Sequence, residues 1–425
     1  MKGDRRRLLG IVAAGTTAAL GGLPTASVLE AGRSLVSRKE SIGLRYFGLH
    51  IHEVATPWPD FQFGQQRLWD TRTSWFNLQP QPDRWMFDRL DAVVQRAVNH
   101  GVGLLLPLGM TPTWASARPT ELSPYNIPGT ASEPADIGTW KAYVQMVATR
   151  YKGRVRHYEI WNEVNAGTGF FTGTPESMLE LQRTAYEVLK SVDPGVTVLS
   201  PSTEGSTEDK FVWFERYMAL MAGRYADAVA YHFYNPRKPP EAMLSVVQRV
   251  RGILARTGAA QLSLWNTESG YRVDWGSIEP LTGTWATWPN LPPGLAAAWL
   301  VRAYLLGWLV GLEAYFWYGY DSGVMGMVPT SHEPSVVSRS MGHLIRLLVG
   351  AFVDDFISNN GVARARVSRG NVDTWWVWST DDQERRWSIP ASLGVKRAMT
   401  LDDTPIDLTD GKVGLAAMPI RLSVR

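Results

Sequence analysis

Between residues 45 and 350 the chain alternates short apolar runs with longer helical patterns, and this rhythm restricts its architecture more than any other feature. The runs are "RYFGLHIH" (45–52), "QRLWDTRTSW" (66–75), "GLLLPLG" (103–109), "HYEIWNE" (157–163), "TVLSPST" (197–203), "AVAYHFY" (228–234), "LSLWNTE" (262–268) and "AYFWYGYD" (314–321). Each is rich in apolar, aromatic or β-branched residues, as strands buried on both faces are. Between them, "MFDRLDAVVQRAVNHG" places Phe87, Leu90, Val94 and Val98 on one helical face and stops at Gly101. "IGTWKAYVQMVATRYKG" and "SMLELQRTAYEVLKSVDPG" read the same way, the second ended by Pro194 and Gly195. Further helices fit 210–222, 241–256, 294–309 and 335–348.

Eight strands in alternation with helices predict an α/β fold, a (β/α)8 TIM barrel over residues 44–350. An open doubly wound sheet is the alternative, but no Gly-rich phosphate loop follows the first strand. From 351 to 425 the pattern changes. "VARARVSRG", "DTWWVWST", "RRWSIP", "KRAMTL" and "MPIRLSVR" are short strands separated by turns such as "RGN" and "TDDQ", which predicts a small β-domain packed on the barrel.

With 425 residues, 20% charged and 45% hydrophobic, the chain has the composition of an ordinary globular protein. The formal charge is +3, two of it in the first 31 residues, so no polyanionic partner such as nucleic acid is expected. Cysteine is absent, which excludes disulfides, thiolate metal sites and cysteine nucleophiles. Tryptophan is abundant, at 19 residues; Trp fills cores, and in loops it stacks on sugar faces. The opening "MKGDRRRLLGIVAAGTTAALGGLPTAS" has a basic head, an apolar run and small residues. Residues 1–31 therefore read as an export signal, with Arg5-Arg6 in a twin-arginine setting; the other reading is a weakly anchored tail. The run is too short and too rich in Gly and Thr for a stable membrane span.

Two of the strand-like runs end alike. "HYEIWNEVNAG" and "LSLWNTESGY" each pass through Trp-Asn to a carboxylate, Glu163 in the first and Glu268 in the second. Barrel chemistry sits at the C-terminal strand ends, and the fourth and seventh ends face each other across the mouth. A carboxyl group on either side of a glycosidic bond is the working arrangement of most glycosidases.

Ile-Trp-Asn-Glu at the fourth strand and a Glu at the seventh resemble the retaining (β/α)8 glycoside hydrolases of clan A. "FGLHIH", "RLWDTRTSWFNLQP", "TPTWASARP" and "WNEVN" are most similar to family 39 and related bacterial exopolysaccharide glycosidases; Val164 stands where that pattern has Pro. The resemblance implies Glu163 as acid/base, Glu268 as nucleophile and Asn162 as the partner of the sugar 2-hydroxyl. It also implies that Arg67 bonds the nucleophile, that His232 and Tyr234 orient nucleophile and sugar, and that Trp317 is a platform beneath the sugar. Trp114 is a candidate for stacking on a neighbouring sugar, and His50 and His52 for shaping the subsite or packing in the barrel.

His50-x-His52 also permits a metal-dependent, amidohydrolase-like reading, but "WNE" and "SPST" offer no His or Lys at the fourth and fifth strand ends. A barrel that binds polysaccharide without cutting it is a third class, disfavoured by the two glutamates. The expectation is thus a metal-free, cofactor-free retaining β-glycosidase whose partner is a polysaccharide or oligosaccharide. The long segments 110–137 and 271–293, with Trp114, Trp275, Trp285 and Trp288, suggest cutting inside a bacterial exopolysaccharide. An exo-acting β-xylosidase is the alternative.

Overall fold

A computed structural model of the chain describes residues 38–166, 169–276 and 287–424. The 1–31 segment and Trp285 lie outside the described residues. Eight parallel strands close into a barrel: β1 (Phe47–His50), β2 (Gln65–Arg67), β3 (Gly103–Leu108), β4 (His157–Ile160), β5 (Thr197–Leu199), β6 (Ala228–His232), β7 (Ser263–Ser269) and β8 (Tyr315–Trp317). Closure is direct, since Phe47, Gly48 and Leu49 of β1 pair with Tyr315, Phe316 and Trp317 of β8. An open sheet would have left β1 and β8 unpaired with each other. A two-residue strand, Thr203–Glu204, follows β5 and pairs with Tyr231 and His232 of β6.

Among the described residues seven long helices surround the strands: α1 (Asp88–Asn99), α2 (Ile137–Tyr151), α3 (Pro175–Val192), α4 (Glu208–Met221), α5 (Met243–Arg256), α6 (Pro293–Leu309) and α7 (Val336–Leu348). No helix connects β1 to β2; residues 51–64 form a loop instead. Trp58 of that loop stacks on His100, and Arg96 of α1 donates to the Val54 carbonyl at 2.6 Å. The expected face of α1 is corrected at one position. Leu90, Val93, Val94 and Ala97 are buried, whereas Val98 is 46% exposed. Eight residues after Leu90 a helix has turned well past its starting face, while seven residues return to it.

Strand periodicity sorts the barrel side chains into two layers. Leu49, Tyr158, Ile160, Val229, Leu264, Tyr315 and Trp317 join the large core between strands and helices. Leu105, Leu199, Ala228, Ala230, Trp265 and Phe316 fill the barrel interior as a separate apolar cluster. Gly48 makes room for this cluster, because a Cβ there would lie 2.4 Å from the Phe316 ring. Above it, towards the strand ends, the buried layer turns polar with His50, Arg67, Glu159, His232 and Glu268.

The chain then forms a six-stranded antiparallel sheet, opening with β9 (Phe352–Asn359), β10 (Val362–Arg369) and β11 (Val372–Ser379). Asn360 and Gly361 both adopt positive φ, 52° and 75°, the tight hairpin turn favoured by Asn-Gly. Arg302 of α6 ties this sheet to the barrel. It is fully buried, forks onto Glu241 of the β6–α5 connection and meets Asp382, just past β11, at 2.5 Å. Trp378 Nε1 donates to Glu241 at 2.7 Å and Trp299 Nε1 to Asp382 at 3.0 Å. Among the described residues no helix is long and apolar enough to cross a membrane.

Candidate active site

Arg67 is the centre of the polar layer. It is fully buried at the end of β2 and its donors reach the ends of two other strands, β4 and β7. Nε and Nη2 fork onto Glu159 at 3.0 and 2.5 Å, Nη1 meets Glu268 Oε2 at 2.7 Å, and Nη2 also reaches Asn162 Oδ1 at 2.7 Å. A buried guanidinium needs such compensation, and its planar fork fits a carboxylate in two-point contact. Glu159 was not read from the sequence as a site residue. Its signal was a carboxylate between the outward-facing Tyr158 and Ile160 of β4, hence aimed into the barrel.

Glu268 lies in the last turn of the β7 pleat, with 6% of its side chain exposed. Arg67 holds one oxygen; the Tyr234 hydroxyl donates to the other at 2.9 Å. Glu163 lies three residues beyond β4 on a constrained turn, where Trp161 and Glu163 have φ of 75° and 43°. Left-handed backbone at non-glycine residues costs about 1–3 kcal/mol each and needs support from its surroundings. Here Trp161 N donates to Leu108 O at 2.7 Å, Glu163 N to Ser202 Oγ at 3.1 Å, Val164 N to Ser202 O at 3.1 Å, and the Trp161 indole to Phe170 O at 2.8 Å.

His232 joins the two carboxylates. Its Nδ1 is 2.9 Å from Glu163 Oε1 and 4.0 Å from Glu268 Oε1, and its Nε2 is 3.1 Å from the Thr267 hydroxyl. One ligating atom from each of Glu163, His232 and Glu268 lies within 4.8 Å of the other two. Among the described residues these three are the group best spaced to hold a cation. The Arg67 guanidinium on Glu268 already supplies positive charge there, which weighs against a second cation.

Burial sets the proton affinities. Glu163 is pushed up to about 8 by desolvation, reinforced by the Glu204 carboxylate and opposed by Arg67 and Lys210. Glu268 is pushed up to about 7 by desolvation, with the Arg67 guanidinium pulling it down. Glu268 is the one that accepts a direct Arg67 contact, and the order agrees: Glu163 keeps its proton to higher pH. His232 is pushed down to about 4 by burial, so its imidazole is neutral at pH 7.

The remaining expected residues separate. Asn162 sits beside Glu163 with its oxygen on Arg67. His50 is fully buried at the mouth, its Nε2 3.1 Å from the Thr267 carbonyl. His52 is partly exposed, and its backbone N donates to Asp321 at 2.9 Å. Trp317 is corrected: it is fully buried, packs on Tyr271 in the layer between strands and helices, and offers no ring face to a sugar. One step along, on the parity of Phe316, Tyr318 faces the mouth; its ring meets His50 and His52 at 5.0 Å and its hydroxyl donates to Asp70 at 2.7 Å. Trp114 is partly buried, packs edge-on against Trp75 and donates to Gln79 O at 2.9 Å, so it braces a loop. Trp275 likewise donates to Gly326 O at 3.2 Å, whereas Trp288 packs on Tyr234 at 5.2 Å, next to Glu268. Tyr125, from the loop after β3, also donates to Asp70.

Two carboxyl groups at the ends of β4 and β7, cross-linked by an Arg on β2, decide which known folds bear comparison. A family 39 glycoside hydrolase from Bacteroides cellulosilyticus superposes with a TM-score of 0.69 at 17% identity, over 91% of this chain and 82% of that one. The chain shares the fold of the family 39 glycoside hydrolases. A family 39 β-xylosidase from Caulobacter crescentus gives 0.62 at 16% identity, over 91% and 98%. A family 30 endoxylanase from Clostridium papyrosolvens gives 0.59 at 14%, over 92% and 97%. In sequence, a β-xylosidase from Geobacillus stearothermophilus is 23% identical over 181 residues, which is 37% of this chain and 35% of the relative. The match thus spans about a third of that relative's length. No family model matches the chain.

Proposed function

We propose that the protein is a retaining β-glycoside hydrolase. One observation carries the reading: carboxyl oxygens of Glu163 and Glu268 come within 4.8 Å of each other at the barrel mouth. Retaining enzymes hold their carboxyl groups about 5–5.5 Å apart, and inverting ones about 6.5–9.5 Å, to admit a water.

Glu268, ionised on Arg67 and Tyr234, attacks the anomeric carbon. His232 Nδ1–H engages Glu163 Oε1, leaving Oε2 to carry the proton to the departing oxygen. The ionised Glu163 then takes a proton from water, which attacks the same carbon and returns Glu268 as a carboxylate. Asn162, its oxygen committed to Arg67, has its amide N–H left to donate to the sugar 2-hydroxyl. Proton NMR of the first-formed product should show the anomer of the substrate; an initially inverted anomer would refute Glu268 as nucleophile.

The finer reading is internal cutting of a bacterial exopolysaccharide, supported by Trp288 on Tyr234 at the mouth. Polymer viscosity should then fall before monosaccharide appears. Exo action on a terminal sugar, as by a β-xylosidase, is favoured by a different observation. Asp70 gathers the Tyr125 and Tyr318 hydroxyls and so ties the loops after β2, β3 and β8 into a wall beside Glu268. Monosaccharide as the first product would select that reading. For location, the reading is export by the twin-arginine route, supported by Arg5-Arg6 before a weakly apolar run. A reporter fused to residues 1–31 should be exported, and Arg5→Lys with Arg6→Lys should stop it; unchanged export would exclude the route.

A further inference from the structure

The turn that carries Glu163 has Val164 where the family 39 pattern has Pro, and the structure shows what the exchange permits. Pro has no N–H, whereas Val164 N donates to Ser202 O. The segment 202–204 runs beside the turn and is bonded to it at Ser202 and Glu204. Ser202 Oγ accepts from Glu163 N, and Ser202 N donates to Trp161 O at 3.3 Å. Asn165 Nδ2 donates to Glu204 O at 3.0 Å, while Glu204 N donates to Asn165 Oδ1 at 2.9 Å. Lys210, in the first turn of α4, completes the unit: its Nζ donates to Asn165 O at 2.6 Å and pairs with Glu204 Oε1 at 2.8 Å. Three quarters or more of each side chain in this pair is buried, 17% of Lys210 and 23% of Glu204 remaining exposed.

We infer that the Glu204–Lys210 pair is a positioning element for Glu163: it clamps the turn through Asn165 and sets the field in which the acid/base gains and loses its proton. This rests on the reading of Glu163 as acid/base. The charged and titratable groups facing Glu163 are Arg67 and Asp70 from the β2 side, Tyr125 from the loop after β3, Glu204 and Lys210 from the β5–α4 side, His232 and Tyr234 from the end of β6 and Glu268 from β7. Of these, Glu204 and Lys210 lie apart from the carboxylates, histidine and guanidinium described above. They also act in opposite senses, Glu204 favouring the protonated acid and Lys210 the ionised one.

Opposite senses make the inference testable in a way that simple loss of structure cannot imitate. Glu204→Gln keeps both backbone bonds to Asn165 and removes the negative charge, so Glu163 should give up its proton at lower pH. Lys210→Met leaves Glu204 unpaired, so Glu163 should hold its proton to higher pH. Each shift should be on the order of half a pH unit. Lys210→Arg should restore the wild-type value. The measurement is the Glu163 titration in the full-length protein by carboxyl 13C NMR, its resonance assigned with Glu163→Gln, alongside the basic limb of kcat/KM. Shifts in opposite directions support the inference. Shifts in the same direction, or none in either variant, overturn it while leaving the glycosidase reading intact. Because the NMR titration needs no turnover, a protein without glycosidase activity would sink only that reading.

Discussion

At the scale of single residues, Glu163 and Glu268 differ in what touches them, and that difference predicts different failures. Glu163→Gln should slow substrates with poor leaving groups at least about 100-fold and activated aryl glycosides far less, because only the former need the proton. Glu268→Ala should abolish turnover of both; equal, mild losses would move the chemistry elsewhere. The same Gln variant carries a stability prediction. Glu163 is raised to about 8 in the fold, so its contribution is fully present below the ordinary carboxylate range and is lost as pH rises through 8. Glu163→Gln should therefore melt above wild type at pH 9, with the gap closing towards pH 5; an unchanged gap would contradict the raised value. Glu163 and Glu268 were legible because each closes a Trp-Asn strand end with a carboxylate, whereas Arg67, His232 and Tyr234 came from the resemblance to clan A; the structure brings the five together. Glu159, which lies inside the quoted "HYEIWNE", was missed. Its role comes from a partner 92 positions away, and spacing along one strand cannot show a partner on another.

At the scale of elements, strand existence and order were legible while side-chain parity was not. The resemblance to clan A implies the indole of Trp317 on β8 as the sugar platform. The strand turns Trp317 outward to Tyr271 and presents Tyr318 to the mouth, in unbroken alternation with Tyr315 and Phe316. A shift of one residue exchanges the two faces of a strand. Trp317→Phe should therefore lower the melting temperature and leave KM within about two-fold. Tyr318→Phe, which removes a bond to Asp70 beside both carboxylates, should raise KM or lower kcat at least about five-fold with little change in melting. The reverse pattern would return Trp317 to the site. Val98 and the loop at 51–64 fail for related reasons. Helical phase drifts over two turns, and a loop held by Trp58 and Arg96 against α1 leaves no periodic trace of its own.

At the scale of the whole molecule, the barrel and the antiparallel sheet share Arg302, whose partners Glu241 and Asp382 lie on the two sides of their junction. Removing one member of a buried charge cluster leaves the others uncompensated, at a cost of about 3–5 kcal/mol. Arg302→Met should accordingly lower the melting temperature by about 5 °C or more, with KM unchanged in the surviving folded fraction; a change under 1 °C would mean water already reaches the cluster. The sequence announced the change of pattern near 351, but not that a helix of the first part and a turn of the second would share one cation. Near Ile42 the chain meets the connection between α7 and β9: Ile42 N donates to Ala351 O and Gly350 N to Ile42 O, both at 2.8 Å. Anyone seeking a minimal catalytic fragment would cut after α7, where the periodicity changes. That cut would leave Glu241 and Arg302 without Asp382, bare the ring of Trp299, and take from Ile42 the Gly350–Ala351 segment it is bonded to. The seam visible in the text of the chain is thus not a place where the molecule comes apart.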